Sequence, residues 1–259
     1  MSKDFYCGLD LGSSRAKLVL IDEDKNILGQ SITRSGSNFN TTANNALNKV
    51  LSENNLDKDN LIATVSCGYG RENVEFANAH KTELGCHAKG SFHYFPFAIN
   101  VIDIGGQDNK IIKIDENGKR RSFKMNRKCA AGTGAFIEEM AMRLDLNISD
   151  LNQIASSAEG LVTIGSYCTV FSATEVLEHI RNGKKVEDLV KGIFASVVKR
   201  IIEMDSFEDK VVMSGGVVQH NPLVAEMMSR ELGIEVLTAK YPQLTGAMGA
   251  ALYALELQN

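Results

Sequence analysis

The chain has no basic excess, no long apolar run and no closely spaced cysteine pair, and each absence removes a class of function. Lys and Arg total 28 against 32 Asp and Glu, a formal charge of −4 over 259 residues. That balance gives no electrostatic footprint for nucleic acid, and no Lys/Arg run points to a membrane surface. No apolar stretch reaches the roughly 18–20 residues that a spanning helix needs, and the Met-Ser-Lys-Asp opening carries no signal pattern. A cytoplasmic protein that binds neither nucleic acid nor membrane is expected. The five cysteines (Cys7, Cys67, Cys86, Cys129, Cys168) form no Cys-x-x-Cys pair, which excludes a zinc ribbon or a thioredoxin motif. A disulfide framework does not suit a reducing compartment. Pro/Ser-rich linkers and low-complexity tracts are also missing, so any two lobes are closely joined. Hydrophobic residues, 44% of the chain, suffice for a sizeable core.

What is present is arranged twice over. Phe5 to Leu11, Lys17 to Asp22 and Ile27 to Arg34 read as a meander of three strands, with Asp10-Leu-Gly12-Ser13-Ser14 in the first turn. Ala98 to Ile104, Asn109 to Ile114 and Arg121 to Met125 repeat that plan, with Asp103-Ile-Gly105-Gly106-Gln107-Asp108 in the matching turn. Such a turn can cradle phosphate. Glycine lets backbone N–H groups approach an anion, hydroxyls and Lys17 add donors and charge, and the Asp can hold a hydrated metal ion. The Walker pattern Gly-x-x-x-x-Gly-Lys-Ser/Thr is absent. One Asp-x-Gly-Ser turn also describes an ordinary hairpin. The repeat is what favours two hairpins clamping one polyphosphate and its Mg²⁺ between two lobes that meet near Pro96.

Between the meanders lie a helix over 41–52, a strand over 61–66, a glycine-pivoted Gly68-Tyr69-Gly70-Arg71 loop and a helix over 82–94. Cys86 and His87 on that helix cannot turn both side chains to one ligand, so they read as core or surface residues. From 126 to 205 the chain is mainly helical, with helices expected over 129–145, 149–158, 169–181 and 186–204 and an extended piece over 161–165. Cys129 stands before a small-residue turn and an amphipathic run, and Cys168 leads a second such run. Both thiols are expected at the positive end of a helix, where negative charge is favoured. A lone cysteine is otherwise a small buried hydrophobe. A strand from Val211 runs into Gly215-Gly216, a pair that admits a flat ligand such as a nucleoside or simply packs a strand closely on a helix. A helix over 222–232, a strand over 234–237 and a helix with Gly246, Gly249 and Ala250 on one small face complete the chain.

In this order the set is similar to the actin, Hsp70 and sugar-kinase ATPase superfamily: Asp10-Leu-Gly-Ser-Ser and Asp103-Ile-Gly-Gly-Gln-Asp match its phosphate motifs, Ser214-Gly-Gly its adenosine motif, and Thr245-Gly-Ala-Met-Gly-Ala its second connecting helix. Gly68-Tyr-Gly-Arg, Lys128-Cys-Ala-Ala-Gly-Thr-Gly and Cys168-Thr-Val-Phe narrow this further. End to end the chain resembles the activators of 2-hydroxyacyl-CoA dehydratases, in the benzoyl-CoA reductase/BadF-type ATPase family. The resemblance implies an α/β protein with the two-lobed actin/Hsp70/sugar-kinase fold, a duplicated ribonuclease H-like motif, divided here as lobes 1–97 and 98–259. It implies a homodimer with one ATP/ADP site per subunit and one [4Fe–4S] cluster bridging the subunits, ligated by Cys129 and Cys168. Two thiols from each of two chains about a two-fold axis would complete the four that a cluster needs.

Roles follow residue by residue from the resemblance. Gly12, Ser13, Ser14, Arg15, Ala16 and Lys17 would contact phosphates, with Gly105 and Gly106 in the second hairpin. Asp10 and Asp103 would hold Mg²⁺ through water, and Gln107 and Asp108 would position the attacking water or the metal. Gly132 and Thr133 would mark the nucleotide end of the cluster helix, Gly215 and Gly216 would flank adenosine, and Gln243 would lie near base or ribose. Cys7, Cys67 and Cys86 remain structural, and Cys67 stands where threonine is expected. A ferredoxin or flavodoxin is the implied electron donor. A dehydratase is the implied acceptor, with a benzoyl-CoA reductase or a double-cubane iron–sulfur protein as the alternative. A small-molecule kinase of the same fold has no use for the two cysteines, and a chaperone- or filament-like ATPase would carry them incidentally.

Overall fold

A computed structural model describes residues 4–165, 168–208 and 210–258. Strands β1 (Phe5–Leu11), β2 (Arg15–Ile21) and β3 (Ile27–Arg34) are followed by α1 (Phe39–Glu53), β4 (Leu61–Cys67), β5 (Ala79–His80) and α2 (Glu83–Tyr94). The three-strand plan then recurs as β6 (Ile99–Ile104), β7 (Asn109–Ile114) and β8 (Arg120–Asn126). Four helices come next, α3 (Gly134–Arg143), α4 (Leu151–Ser156), α5 (Thr169–Arg181) and α6 (Val186–Ile202). The chain ends with β9 (Lys210–Ser214), α7 (Gly216–His220), α8 (Leu223–Leu232), β10 (Val236–Thr238) and α9 (Thr245–Glu256).

Two sheets form, and their strand orders match. One runs β3-β2-β1-β4-β5 and the other, read from β8, runs β8-β7-β6-β9-β10. In the first, β1 is antiparallel to β2 and parallel to β4; in the second, β6 and β10 are both parallel to β9. All residues of β1 and of β6 are buried, as their near-continuous apolar runs require of central strands. Local signals set the helix starts. Asn38 Oδ1 accepts the Thr41 N–H at 2.9 Å to open α1, and Thr82 Oγ1 accepts the Gly85 N–H at 3.2 Å to open α2.

The chain divides into two compact units, Met1–Ala98 with Ile114–Arg121 and Gln243–Asn259, and Ile99–Lys113 with Ser122–Pro242. A single cut after residue 97 therefore does not describe it: α9 returns to the first unit, where it packs on α2, β1 and β4. The reason is steric. A Cβ on Gly249 would lie 1.8 Å from Cys86 O, and one on Gly8 would lie 2.0 Å from Ala247 O, so these backbones meet closer than any side chain permits. The core of the first unit joins Phe5, Leu9 and Leu18 to Leu47 and Val50 of α1. That of the second joins Ile102, Ile104 and Ile111 to Phe136, Met140, Phe194 and Val197. Each such side chain contributes about 1.5–3 kcal/mol by leaving water.

Other differences from the expected elements are local. The helix placed over 129–145 starts at Gly134, the expected extended piece over 161–165 forms no strand, and β5 and α7 are too short to carry a period.

Candidate functional site

The two Asp/Gly turns are the same structure. Gly12 N–H donates to Arg15 O at 3.1 Å in one, and Gly105 N–H donates to Asp108 O at 2.9 Å in the other. Asp10 is 1% exposed and Asp103 is 3% exposed, while the tips Ser13, Ser14, Arg15, Gly106 and Gln107 face solvent. Lys17 Nζ lies 2.9 Å from Asp10 Oδ2, and Lys110 Nζ lies 3.3 Å from Asp103 Oδ2, at the same separation of seven residues. Lys110 also reaches Asp108 Oδ1 at 2.8 Å. So one buried ammonium bridges two carboxylates expected in metal and water positioning. The sequence reading named Lys17 and missed Lys110. The repeat held the signal, since Asp-to-Lys spacing is identical in both halves.

The strand paired parallel to each central strand completes the equivalence. Asp103 lies in register with Ser214, whose Oγ donates to Asp103 Oδ1 at 2.9 Å. Asp10 lies in register with Cys67, whose thiol instead points at Gly246 O, 3.7 Å away. The hydrogen bond to Cys86 and burial push the Cys67 thiol well above its usual range, and burial pushes the Cys7 thiol up to about 12. Cys7, Cys67 and Cys86 are all buried. Gly215 has φ +98, and a Cβ there would lie 2.3 Å from Ile104 O. Its lack of a side chain is thus needed for strand–helix packing. Gly216 opens α7, and Gln243 is buried directly after Pro242, whose carbonyl accepts the Gly215 N–H at 2.9 Å.

Cys129 and Cys168 are the two exposed cysteines. Cys168 caps α5, as expected, and the Ser172 N–H donates to its carbonyl at 2.8 Å. Cys129 does not stand at a helix start, a correction to the dipole argument for this thiol. It lies in a turn fastened by side chains: Asn126 Nδ2 donates to Cys129 O at 2.9 Å, and Thr133 Oγ1 donates to Ala130 O at 2.6 Å. Gly132, at φ +85, lets the turn close. Gly132 and Thr133 are both buried within this turn. The first N–H groups of α3 point elsewhere: Gly134 N–H donates to Gly105 O at 2.9 Å and Ala135 N–H to Gly106 O at 2.7 Å. The second hairpin is therefore bonded to the segment that carries Cys129.

Among the described residues no group of three or more His, Cys, Asp or Glu side chains gathers in one chain. Two exposed cysteine side chains, on segments leading into helices that pack together, fit half of a four-thiolate iron–sulfur site. The carboxylates of Asp10 and Asp103 are hard oxygen donors of the kind Mg²⁺ takes through water. Among the described residues no helix is long and apolar enough to cross a membrane.

Comparison with known proteins gives one consistent picture. The profile of the BadF/BadG/BcrA/BcrD ATPase family matches residues 7–254. The (R)-2-hydroxyglutaryl-CoA dehydratase activating ATPase of Acidaminococcus fermentans is 38% identical over 254 residues, covering 96% of this chain and 96% of that protein. The solved activator of the 2-hydroxyisocaproyl-CoA dehydratase from Clostridium difficile, with bound ADPNP, superposes with a TM-score of 0.92 at 39% identity, over 98% of this chain and 95% of that one. A ROK family glucokinase from Streptomyces griseus, 13% identical with a TM-score of 0.60 over 97% of this chain and 99% of that one, shares the fold alone.

Proposed function

The chain belongs to the BadF/BadG/BcrA/BcrD ATPase family, with the duplicated fold of actin, Hsp70 and sugar kinases, and from that premise we propose that it is the ATP-hydrolysing activator of a 2-hydroxyacyl-CoA dehydratase. In this reading it delivers single low-potential electrons to that partner. The observation that carries the reading is the pair of hydrogen bonds from Gly134 and Ala135 to Gly105 and Gly106. They fasten a phosphate-type hairpin to the segment that carries an exposed thiol, which suits coupling of hydrolysis to redox chemistry.

Backbone N–H groups of Ser13, Ser14, Arg15 and Ala16, with the Lys17 ammonium, bind phosphate oxygens of ATP. Asp10 and Asp103 orient Mg²⁺ through water, each held in place by its lysine. Gln107 and Asp108 set the attacking water, and Lys110 Nζ, 2.8 Å from Asp108 Oδ1, aims that carboxylate. Gly215 and Gly216 flank the adenosine, with Gln243 near base or ribose. Cys129 and Cys168 of two identical chains would hold one [4Fe–4S] cluster, which when bound accepts an electron from a ferredoxin or flavodoxin and passes it to the partner. Exposure of both thiols supports this reading, since a second copy could then supply the other two ligands.

Anaerobic purification tests this. A brown dimer with bound iron and sulfide and Mg²⁺-dependent ATP hydrolysis is expected, along with loss of colour but not of nucleotide binding in Cys129→Ala. A colourless monomer that phosphorylates a metabolite would overturn the proposal in favour of a kinase.

A further inference from the structure

We propose that Asn109 is a positioning residue that ties the second phosphate hairpin to the Cys129 turn, so that nucleotide state is felt at the thiol. This rests on the function proposed above and goes beyond it by naming the side chain that carries the coupling. Asn109 is the first residue of β7 and directly follows Asp108. It is 1% exposed, and its Nδ2 donates to Gly132 O at 2.8 Å. Gly132 is part of the turn that Cys129 begins, and a Cβ there would lie 3.2 Å from the same Asn109 Nδ2. The turn is thus gripped on two sides by one hairpin. The grip through Gly105 and Gly106 uses backbone atoms that any sequence supplies, whereas the grip through Asn109 needs this amide.

The internal repeat shows that the fold itself does not require an asparagine. Gly12, Ala16 and Lys17 of the first hairpin correspond to Gly105, Asn109 and Lys110 of the second, and Ala16 fills its position as a buried methyl. Both copies make the same turn and the same Lys–Asp pair. Only the copy that precedes a cysteine turn carries an amide. Asn109 Oδ1 is buried and has no hydrogen-bond partner among the described residues, a costly arrangement in a site maintained for packing alone.

Space for movement adjoins it. An open pocket of about 200 Å³ is lined by Asn109, Asn126, Cys129 and Ala131 and, from α6 and the residues after it, by Arg200, Glu203 and Met204. Packed interiors resist continuous deformation, so an open pocket beside Cys129 gives the turn room to shift. A displacement of Gly106–Asp108 by a bound phosphate then pulls on Gly132 O through Asn109.

The experiment measures release of iron to a ferrous chelator from the anaerobically purified full chain, with Mg–ADP and with a non-hydrolysable Mg–ATP analogue. Wild type should release iron at rates that differ by about tenfold between the two, a bias of the size one buried hydrogen bond can impose. Asn109→Asp, which keeps the shape and removes the donor, and Asn109→Ala should bring the two rates together while ATP hydrolysis stays within about twofold of wild type. A variant of either kind that folds, as judged by its thermal transition, and keeps the wild-type rate ratio overturns the inference. So does loss of hydrolysis in step with the ratio, which would place Asn109 in the nucleotide site. Wild-type protein that binds nucleotide but shows equal rates removes the underlying reading of a nucleotide-responsive cluster as well.

Discussion

Lys110 Nζ stands 3.3 Å from Asp103 Oδ2 with both side chains almost wholly buried, 2% and 4% exposed. Its counterpart in the first repeat, Lys17 with Asp10, keeps 17% of the lysine side chain in water. Removing one partner of a buried pair strands the other charge.

Lys110→Met is accordingly expected to cost about 3–5 kcal/mol in nucleotide-free protein, since it leaves Asp103 and Asp108 without their cation. Lys17→Met should cost less. Urea denaturation of both variants checks the order; equal or negligible losses would show that the Lys110 pair is not the buried strut described.

Native-state alkylation should separate the cysteines into two sets. Cys7, Cys67 and Cys86 are buried and so shielded from the reagent, and burial pushes the Cys7 thiol up to about 12. In protein treated anaerobically with a metal chelator, Cys129 and Cys168 should react with iodoacetamide at least about a hundredfold faster, in line with their exposure. Mass mapping of the labelled peptides decides it. Early labelling of Cys67 would show that the end of β4 opens readily.

Gly249→Ala should destabilise the first unit by more than 3 kcal/mol, about the scale of severe overpacking, because the added methyl would lie 1.8 Å from Cys86 O. Ala250→Gly, on the same helix, should cost only about 1–2 kcal/mol, from helix propensity and the loss of one buried methyl. Thermal unfolding distinguishes the two, and a mild Gly249→Ala effect would mean α2 and α9 can separate.

Gly215→Ala tests whether the glycine pair serves packing before it serves a ligand. With φ +98 and a backbone oxygen 2.3 Å from the new Cβ, the variant should lose about 3 kcal/mol or more without any nucleotide present. A variant of normal stability with weakened ATP binding would assign Gly215 to the nucleotide alone.

Much of the site was legible because it is written locally and written twice. The Asp10 and Asp103 turns, the Cys168 helix and the Thr82 cap each depend on residues within a few positions of one another. Lys110 was equally legible from its spacing to Asp103. Cys129 was misread as lying at a helix start because Ala130 to Gly134 have no side chains large enough to show a period, and the true start at Gly134 is set by the hairpin carbonyls that its N–H group and that of Ala135 meet.

The sequence by itself determined the repeated strand–turn–strand units, their buried central strands and the Asp–Lys spacing within each turn, since alternation, glycine and charge act over a few residues. Only the tertiary structure decided that α9 joins the first unit, that Asn109 holds Gly132, and that Gly215 packs on Ile104. Those contacts arise from backbones brought within ångströms across long sequence separations, where the deciding quantity is the absence of a side chain or the reach of one amide.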